Sequence, residues 1–199
     1  YYHQAGQLSL DPDFCMDIMK QWYSNYRFTK RAKNVMFNSD MVLYFVQEAM
    51  KDSALPENLI DQNVKIDYKK LRYLITIDKQ LNGNFSRLKS IIENQFIISN
   101  IEYSFPIDEL TNPENFISLL YYFGLLTIHE KKRGKYLLKI PNLTILSLMY
   151  GYIRSGFKDV DIFKIDMWEL SDMITNMAYD GNWKPFFNYL SEQIEKQTA

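Results

Sequence analysis

Residues 112–152 read NPENFISLLYYFGLLTIHEKKRGKYLLKIPNLTILSLMYGY, and this stretch decides the fold. Asn112-Pro113 is a helix start, because asparagine caps a first turn and proline fits its first position. Gly124 is expected to end that helix. Two runs with the composition of strands follow at 125–129 and 136–140. The order is therefore helix, strand, turn and strand.

A basic turn joins the two strand-like runs. Residues 130–135 read EKKRGK, and Gly134 stands where a tight turn needs a positive φ. We predict one antiparallel hairpin between Leu126 and Ile140, and a further helix that begins at Pro141-Asn142. A helix packed on a β-hairpin with a basic tip is the outline of a winged-helix module.

Composition limits the classes of function. Of the 199 residues, 47% are apolar and 16% aromatic, so the chain can build a core and is not disordered. Lysine and arginine number 23 against 24 aspartate and glutamate residues. This balance argues against a surface that binds nucleic acid or anionic lipid over its whole extent. A binding site of that kind must be a local patch.

The sequence also indicates a compartment. The single cysteine, Cys15, excludes an internal disulfide framework and fits a reducing environment. No apolar run approaches the roughly 20 residues of a membrane helix, and no signal peptide is recognisable. We therefore expect a cytoplasmic protein with no membrane partner. The chain starts at Tyr1 rather than Met and ends in a helical pattern, so we expect a fragment of a longer protein.

Further helices begin at polar capping residues, and the region around Ile98 to Phe105 carries only a weak extended pattern. The helix that is expected to begin at Asp67 would carry Leu71, Leu74 and Ile75 on its apolar face. The expected caps are Asp11, Ser39-Asp40, Asp67 and Asp166.

The sequence thus predicts a mainly α fold in three regions. Residues 1–105 form a helical lid-like bundle, and residues 106–156 form a winged-helix-like unit with one β-hairpin. Residues 157–199 form a C-terminal helical segment, interpreted as a truncated connector.

Two segments resemble a known bacterial family. Residues 22–28 read WYSNYRF and residues 38–45 read NSDMVLYF. They resemble the W-Y-x-G/N-Y-R-F segment and following helix of AAA-ATPase-like proteins of Bacteroidetes type, in which a PD-(D/E)XK nuclease-like domain follows. Residues 119–128 are similar to that family's L-x-x-x-G-L-L-T helix-strand. The resemblance covers most of the chain up to about Ser155.

The resemblance implies what this chain would lack. The family's phosphate-binding loop would precede Tyr1, and its nuclease residues would follow Ala199. No G-x-x-x-x-G-K-[ST] motif occurs in the sequence. ATP and Mg²⁺ would belong to the full-length protein, and the partner of this chain would be the rest of that protein, its ATPase core and nuclease-like domain. We predict no catalytic residue, no metal ligand and no cofactor within residues 1–199.

Arg27 is the candidate for nucleotide sensing. A basic residue of a helical lid can reach a γ-phosphate, because a guanidinium pairs well with phosphate oxygens. The competing interpretation is an arginine stacked on Trp22, Tyr23 or Tyr26 that fixes a turn.

The hairpin tip is the candidate for nucleic-acid binding. Four positive charges in five positions give a local field, although such charges also keep an exposed sheet edge soluble. Two alternatives to a module of an ATPase-like protein stay open: a free-standing winged-helix protein that binds nucleic acid, and a protein-interaction scaffold. The residues of the tip are Lys131, Lys132, Arg133 and Lys135. The tyrosines of a scaffold surface would be Tyr121, Tyr122, Tyr150 and Tyr152.

Overall fold

The structure is a computed structural model that describes residues 10–29, 31–67, 76–77, 80–81, 83–106, 109, 112–159 and 166–198. The chain divides into two compact units, one within Tyr1–Val160 and one within Asp161–Ala199. The division falls four residues after the predicted boundary at 156/157. The predicted regions 1–105 and 106–156 belong to one unit.

The chain is mainly α-helical, as predicted, with a small antiparallel sheet. Within the described residues the helices are α1 (Pro12–Tyr23), α2 (Ser39–Asp52), α3 (Gln62–Asp67), α4 (Gly83–Asn94), α5 (Pro113–Tyr122), α6 (Leu143–Asp159), α7 (Met167–Asp180) and α8 (Lys184–Thr198). The strands are β1 (Thr76–Ile77), β2 (Gln80–Leu81), β3 (Phe96–Ser99), β4 (Thr127–Lys132) and β5 (Lys135–Lys139).

Side-chain caps fix the starts of several helices. Asp11 caps α1 and Asp166 caps α7, as predicted, each accepting hydrogen bonds from the N–H groups two and three residues further on. The cap of α2 is Asn38 rather than the predicted Ser39-Asp40, because the Asn38 side chain accepts the corresponding two hydrogen bonds. The prediction was one residue late.

The predicted helix start at Asp67 is wrong. Asp61 lies directly before α3, and its carboxylate accepts a hydrogen bond from the Asn63 N–H at 2.9 Å. Asp67 is instead the last residue of α3. The apolar positions predicted for that helix lie outside the described residues: Leu71, Leu74 and Ile75.

The predicted hairpin is confirmed, but it is not alone. Strands β4 and β5 pair antiparallel, and β3 pairs with the other edge of β5, which gives the strand order β3-β5-β4. β1 and β2 form a second, two-stranded antiparallel pair. β3 reads FIIS, which lacks the alternation of a half-exposed strand, so its pattern predicts a strand only weakly.

Two apolar clusters form the core of the first unit. The larger one joins α4, α5 and α6 to the sheet and contains Phe116, Leu126 and Leu138. The smaller one joins α1 to α2. The end of α1 and the segment that follows it connect the two clusters, because Tyr23 belongs to the smaller cluster and Tyr26 to the larger.

Candidate nucleic-acid interface

The hairpin tip is a tight two-residue turn. Lys132 pairs with Lys135 across the hairpin, so Arg133 and Gly134 alone connect the strands. Their φ angles are 51° and 86°. Positive φ at both positions is the requirement of a type I′ turn, whose twist matches that of the flanking strands. The basic residues are therefore held on a short, regular projection.

All four predicted tip residues, Lys131, Lys132, Arg133 and Lys135, are exposed. The Lys135 ammonium lies 3.6 Å from a carboxylate oxygen of Glu114 on α5. Within the described part of the chain, the other three tip residues form no ion pair. Three charges are thus free to meet an anionic partner, and the nearest acidic neighbour along the strand is the exposed Glu130.

A β-bulge sets which face the tip residues occupy. The register of β4 shifts between Ile128 and Glu130, so His129 is the extra residue. After the shift Lys131 lies opposite Tyr136, while Ile128 lies opposite the next core residue, Leu138. Because side chains alternate along a strand, Lys131 lies on the same face as these apolar residues. This lysine therefore borders the helical side of the sheet.

Arg27 lies against β4. Its backbone N–H donates to the Thr127 hydroxyl at 2.6 Å, and its carbonyl accepts from the Ile128 N–H at 3.1 Å. The guanidinium donates to the His129 carbonyl at 3.3 Å. These contacts support a positioning role for Arg27, through the strand rather than through the aromatic rings that the sequence suggested. Its role as a nucleotide sensor stays a prediction.

The aromatic residues around Arg27 have structural partners. The Tyr23 hydroxyl donates to the Leu59 carbonyl at 2.8 Å, and the Tyr121 hydroxyl donates to the Phe28 carbonyl at 2.6 Å. Burial raises the pKa of Tyr23, Tyr26 and Tyr121, so their hydroxyl groups stay protonated. The WYSNYRF segment therefore joins the two core clusters.

An open cleft of about 540 Å³ lies beside the hairpin. Tyr136 of β5 and Ile128 of β4 lie in its wall, so the cleft adjoins the face on which Lys131 lies. Its other lining residues come from the segment after α1, the segment after β3, and α5. They are Phe28, Thr29, Arg31, Ile101, Tyr103, Tyr121 and Tyr122.

Sequence reasoning missed Arg31 and Tyr103 as members of a site. They are 72 positions apart, and neither belongs to a motif with a recognisable spacing. The one sequence feature that could have indicated this site is an aromatic residue between polar neighbours, Tyr103 between Glu102 and Ser104. Of the four tyrosines considered as a surface stripe, Tyr121 and Tyr152 are buried, whereas Tyr122 and Tyr150 are exposed.

The other reactive side chains have ordinary environments. Cys15 is buried, and burial raises the pKa of its thiol, which suppresses the nucleophilic thiolate. Among the described residues, no group of three or more histidine, cysteine, aspartate or glutamate side chains is placed to hold a metal ion. In the same part of the chain, no helix has the length and apolar character needed to cross a bilayer.

Comparisons of the chain with known protein families, with curated proteins and with solved structures find no match. The fold defines a coarse class, a mainly α-helical protein with a small antiparallel sheet. The charged hairpin and the aromatic cleft beside it are the features from which a binding partner can be inferred.

Proposed function

We propose that the chain is a binding module with no reaction of its own, and that its β4–β5 hairpin binds phosphate groups of nucleic acid. The observation that carries this proposal is the set of three exposed cations, Lys131, Lys132 and Arg133, without ion-pair partners among the described residues. Phosphate contacts from such side chains supply most of the non-specific affinity for nucleic acid.

The surrounding elements support the interpretation of residues 106–156 as a winged-helix-like unit. Helix α5 leads into the hairpin through Gly124, whose φ is 72°, and α6 begins soon after β5. The hairpin is the wing of this unit. In the longer ATPase-like protein that the sequence resembles, the unit would have a regulatory or binding role beside the ATPase core.

The competing explanation is that the basic tip only keeps the hairpin soluble. The positions of the charged residues in the hairpin argue against this explanation. Lys132 and Lys135 stand directly opposite each other, which destabilises a hairpin. Among the residues that the structure describes, only Lys135 is offset by a carboxylate, that of Glu114. Solubility alone would not require like charges at the paired positions next to the turn.

The test is the affinity of the 199-residue chain for a labelled oligonucleotide, measured by fluorescence anisotropy. The variant Lys131→Ala/Lys132→Ala/Arg133→Ala should bind at least about tenfold more weakly at low salt, because three phosphate contacts are lost. The matched control removes three exposed lysines that lie near carboxylates on α1, α2 and α4. It is Lys20→Ala/Lys51→Ala/Lys89→Ala, which changes the net charge by the same amount.

The control triple should retain the wild-type affinity within about twofold, since its lysines lie on α1, α2 and α4 rather than on the hairpin. Equal losses in the two triple variants would show that net charge alone matters, and would contradict the proposal. Absence of binding by the wild-type chain to both single-stranded and duplex oligonucleotides would contradict it as well.

A further inference from the structure

The cleft beside the hairpin has the chemistry of a base-stacking site. Its aromatic residues are unusually accessible: Tyr103 is 86% exposed, Tyr122 48% and Phe28 42%. Arg31 lies in the same lining. Aromatic rings next to cations are the combination with which proteins hold unpaired bases and their phosphates.

The rings are held in place by contacts with one another and by one hydrogen bond. Phe28 lies 6.1 Å from Tyr121, and Tyr121 lies 5.4 Å from Tyr122, measured between ring centroids. The hydrogen bond from Tyr121 to the Phe28 carbonyl ties α5 to the segment after α1. A fixed platform of this kind loses little conformational entropy when a flat ligand stacks on it.

The loop that carries Tyr103 is anchored as well. The N–H of the preceding residue, Glu102, donates to the Ser118 hydroxyl at 2.8 Å, and that hydroxyl donates to the Glu114 carbonyl at 2.6 Å. The Tyr103 ring thus projects from a backbone tied to α5. Glu102 is the acidic residue next to Tyr103 in the sequence.

The charges around the cleft favour an anionic ligand. Arg31 lies in the lining, and Lys131 lies on the strand face that forms one wall. Lys132 and Arg133 follow at the tip. These four cations outnumber the neighbouring carboxylates of Glu102 and Glu130, and the Glu114 carboxylate lies beside the Lys135 ammonium. A ligand that has both a flat apolar surface and negative charge therefore matches the site.

We propose that this cleft stacks an unpaired base of single-stranded nucleic acid while the hairpin tip holds the adjoining phosphates. The inference rests on the proposed function of the tip and adds a preference for single strands. Bases of a duplex are stacked on one another and cannot enter the cleft, whereas those of a single strand are free to do so.

The test compares a single-stranded oligonucleotide of about 12 nucleotides, in DNA and RNA forms, with a duplex of the same length. Tyr103→Ala should weaken single-strand binding about 5- to 150-fold, the range that stacking of one base gives, and leave duplex binding unchanged. Tyr103→Phe keeps the ring and should retain the affinity. The matched control is Tyr179→Ala, because Tyr179 in the second unit is also 86% exposed.

The outcomes separate the two proposals. If Tyr103→Ala and Tyr122→Ala leave single-strand affinity unchanged while the tip variant lowers it, the cleft proposal is overturned and the tip proposal stands. If the wild-type chain binds no oligonucleotide, both are overturned. A change of oligomeric state in Tyr103→Ala without a change in oligonucleotide affinity would assign the cleft to protein contact and overturn base stacking.

Discussion

Thr127 and Arg27 are 100 positions apart, and the Thr127 hydroxyl forms two hydrogen bonds with the Arg27 backbone. It accepts from the Arg27 N–H at 2.6 Å and donates to the Arg27 carbonyl at 3.1 Å. Thr127 is fully buried at the start of β4. One side chain thus fixes the segment after α1 along the edge of the hairpin that carries the basic tip.

Thr127→Val should therefore destabilise the chain, although valine has nearly the same shape as threonine. The Arg27 N–H would lose its partner in a buried place, which costs about 1–3 kcal/mol of unfolding free energy. Thr127→Ser keeps the hydroxyl and loses one methyl group, so its cost should be about 1 kcal/mol. Urea denaturation measures both. Equal stability of Thr127→Val and wild type would contradict the role of this hydroxyl.

A second long-range connection predicts a similar effect. The Asn142 side chain accepts from the Ile145 N–H at 3.2 Å, capping α6, and donates to the Ser24 carbonyl at 2.8 Å. Asn142→Ala should cost about 2–4 kcal/mol, the sum of a lost cap and a buried carbonyl left unpaired.

Asn112→Ala is the matched control, because Asn112 is an exposed cap of α5 whose side chain, among the described residues, accepts from the Glu114 N–H alone. It should cost about 1 kcal/mol, since only a cap is lost. The same urea titrations give the difference. If the two alanine variants were equally destabilised, the bond to the Ser24 carbonyl would contribute nothing.

Arg133→Asn should separate stability from binding. Arg133 has a φ of 51°, which costs most residues with a Cβ about 1–2 kcal/mol, whereas Asn-Gly is the preferred pair in a type I′ turn. The variant should raise the melting temperature and weaken oligonucleotide binding, because one cation is lost. Thermal unfolding and anisotropy test the two effects separately. Lower stability in this variant would contradict the turn geometry.

Stability should fall in alkaline solution. Burial raises the pKa of Tyr23 in the folded chain above its ordinary value near 10. The unfolded chain therefore releases this proton first as the pH rises, and the stabilisation that is complete below pH 10 is lost above it. Urea titrations between about pH 8 and 11 should show the loss. Tyr23→Phe should make the decline shallower; an unchanged decline would contradict this assignment.

The local patterns that the sequence carries were sufficient for part of the fold. Asn112-Pro113, Gly134 and the two apolar runs predict α5 and the hairpin because caps and turns depend on a few adjacent residues. β3 was harder to predict, since its pairing with β5 comes from tertiary contact. The helix start predicted at Asp67 was wrong because aspartate favours a capping position but does not impose one, and Asp67 instead lies at the end of α3.

The candidate site shows the same limit. The basic tip is contiguous in sequence and could be predicted directly. The cleft could not, because Arg31, Tyr103 and Tyr122 are brought together only when the segments after α1 and β3 pack beside α5. The WYSNYRF motif made Arg27 a candidate from the sequence. Its contacts with β4 could not be predicted, because they depend on Thr127 and His129, about a hundred residues away.

The salt dependence of binding tests the central claim most directly. For a single-stranded oligonucleotide, each phosphate contact contributes about −0.7 to the slope of log affinity against log salt concentration. Removing Lys131, Lys132 and Arg133 should make the slope shallower by about 2, while Lys20→Ala/Lys51→Ala/Lys89→Ala should leave it unchanged. Equal slopes for the wild-type chain and the tip variant would contradict phosphate binding by the hairpin.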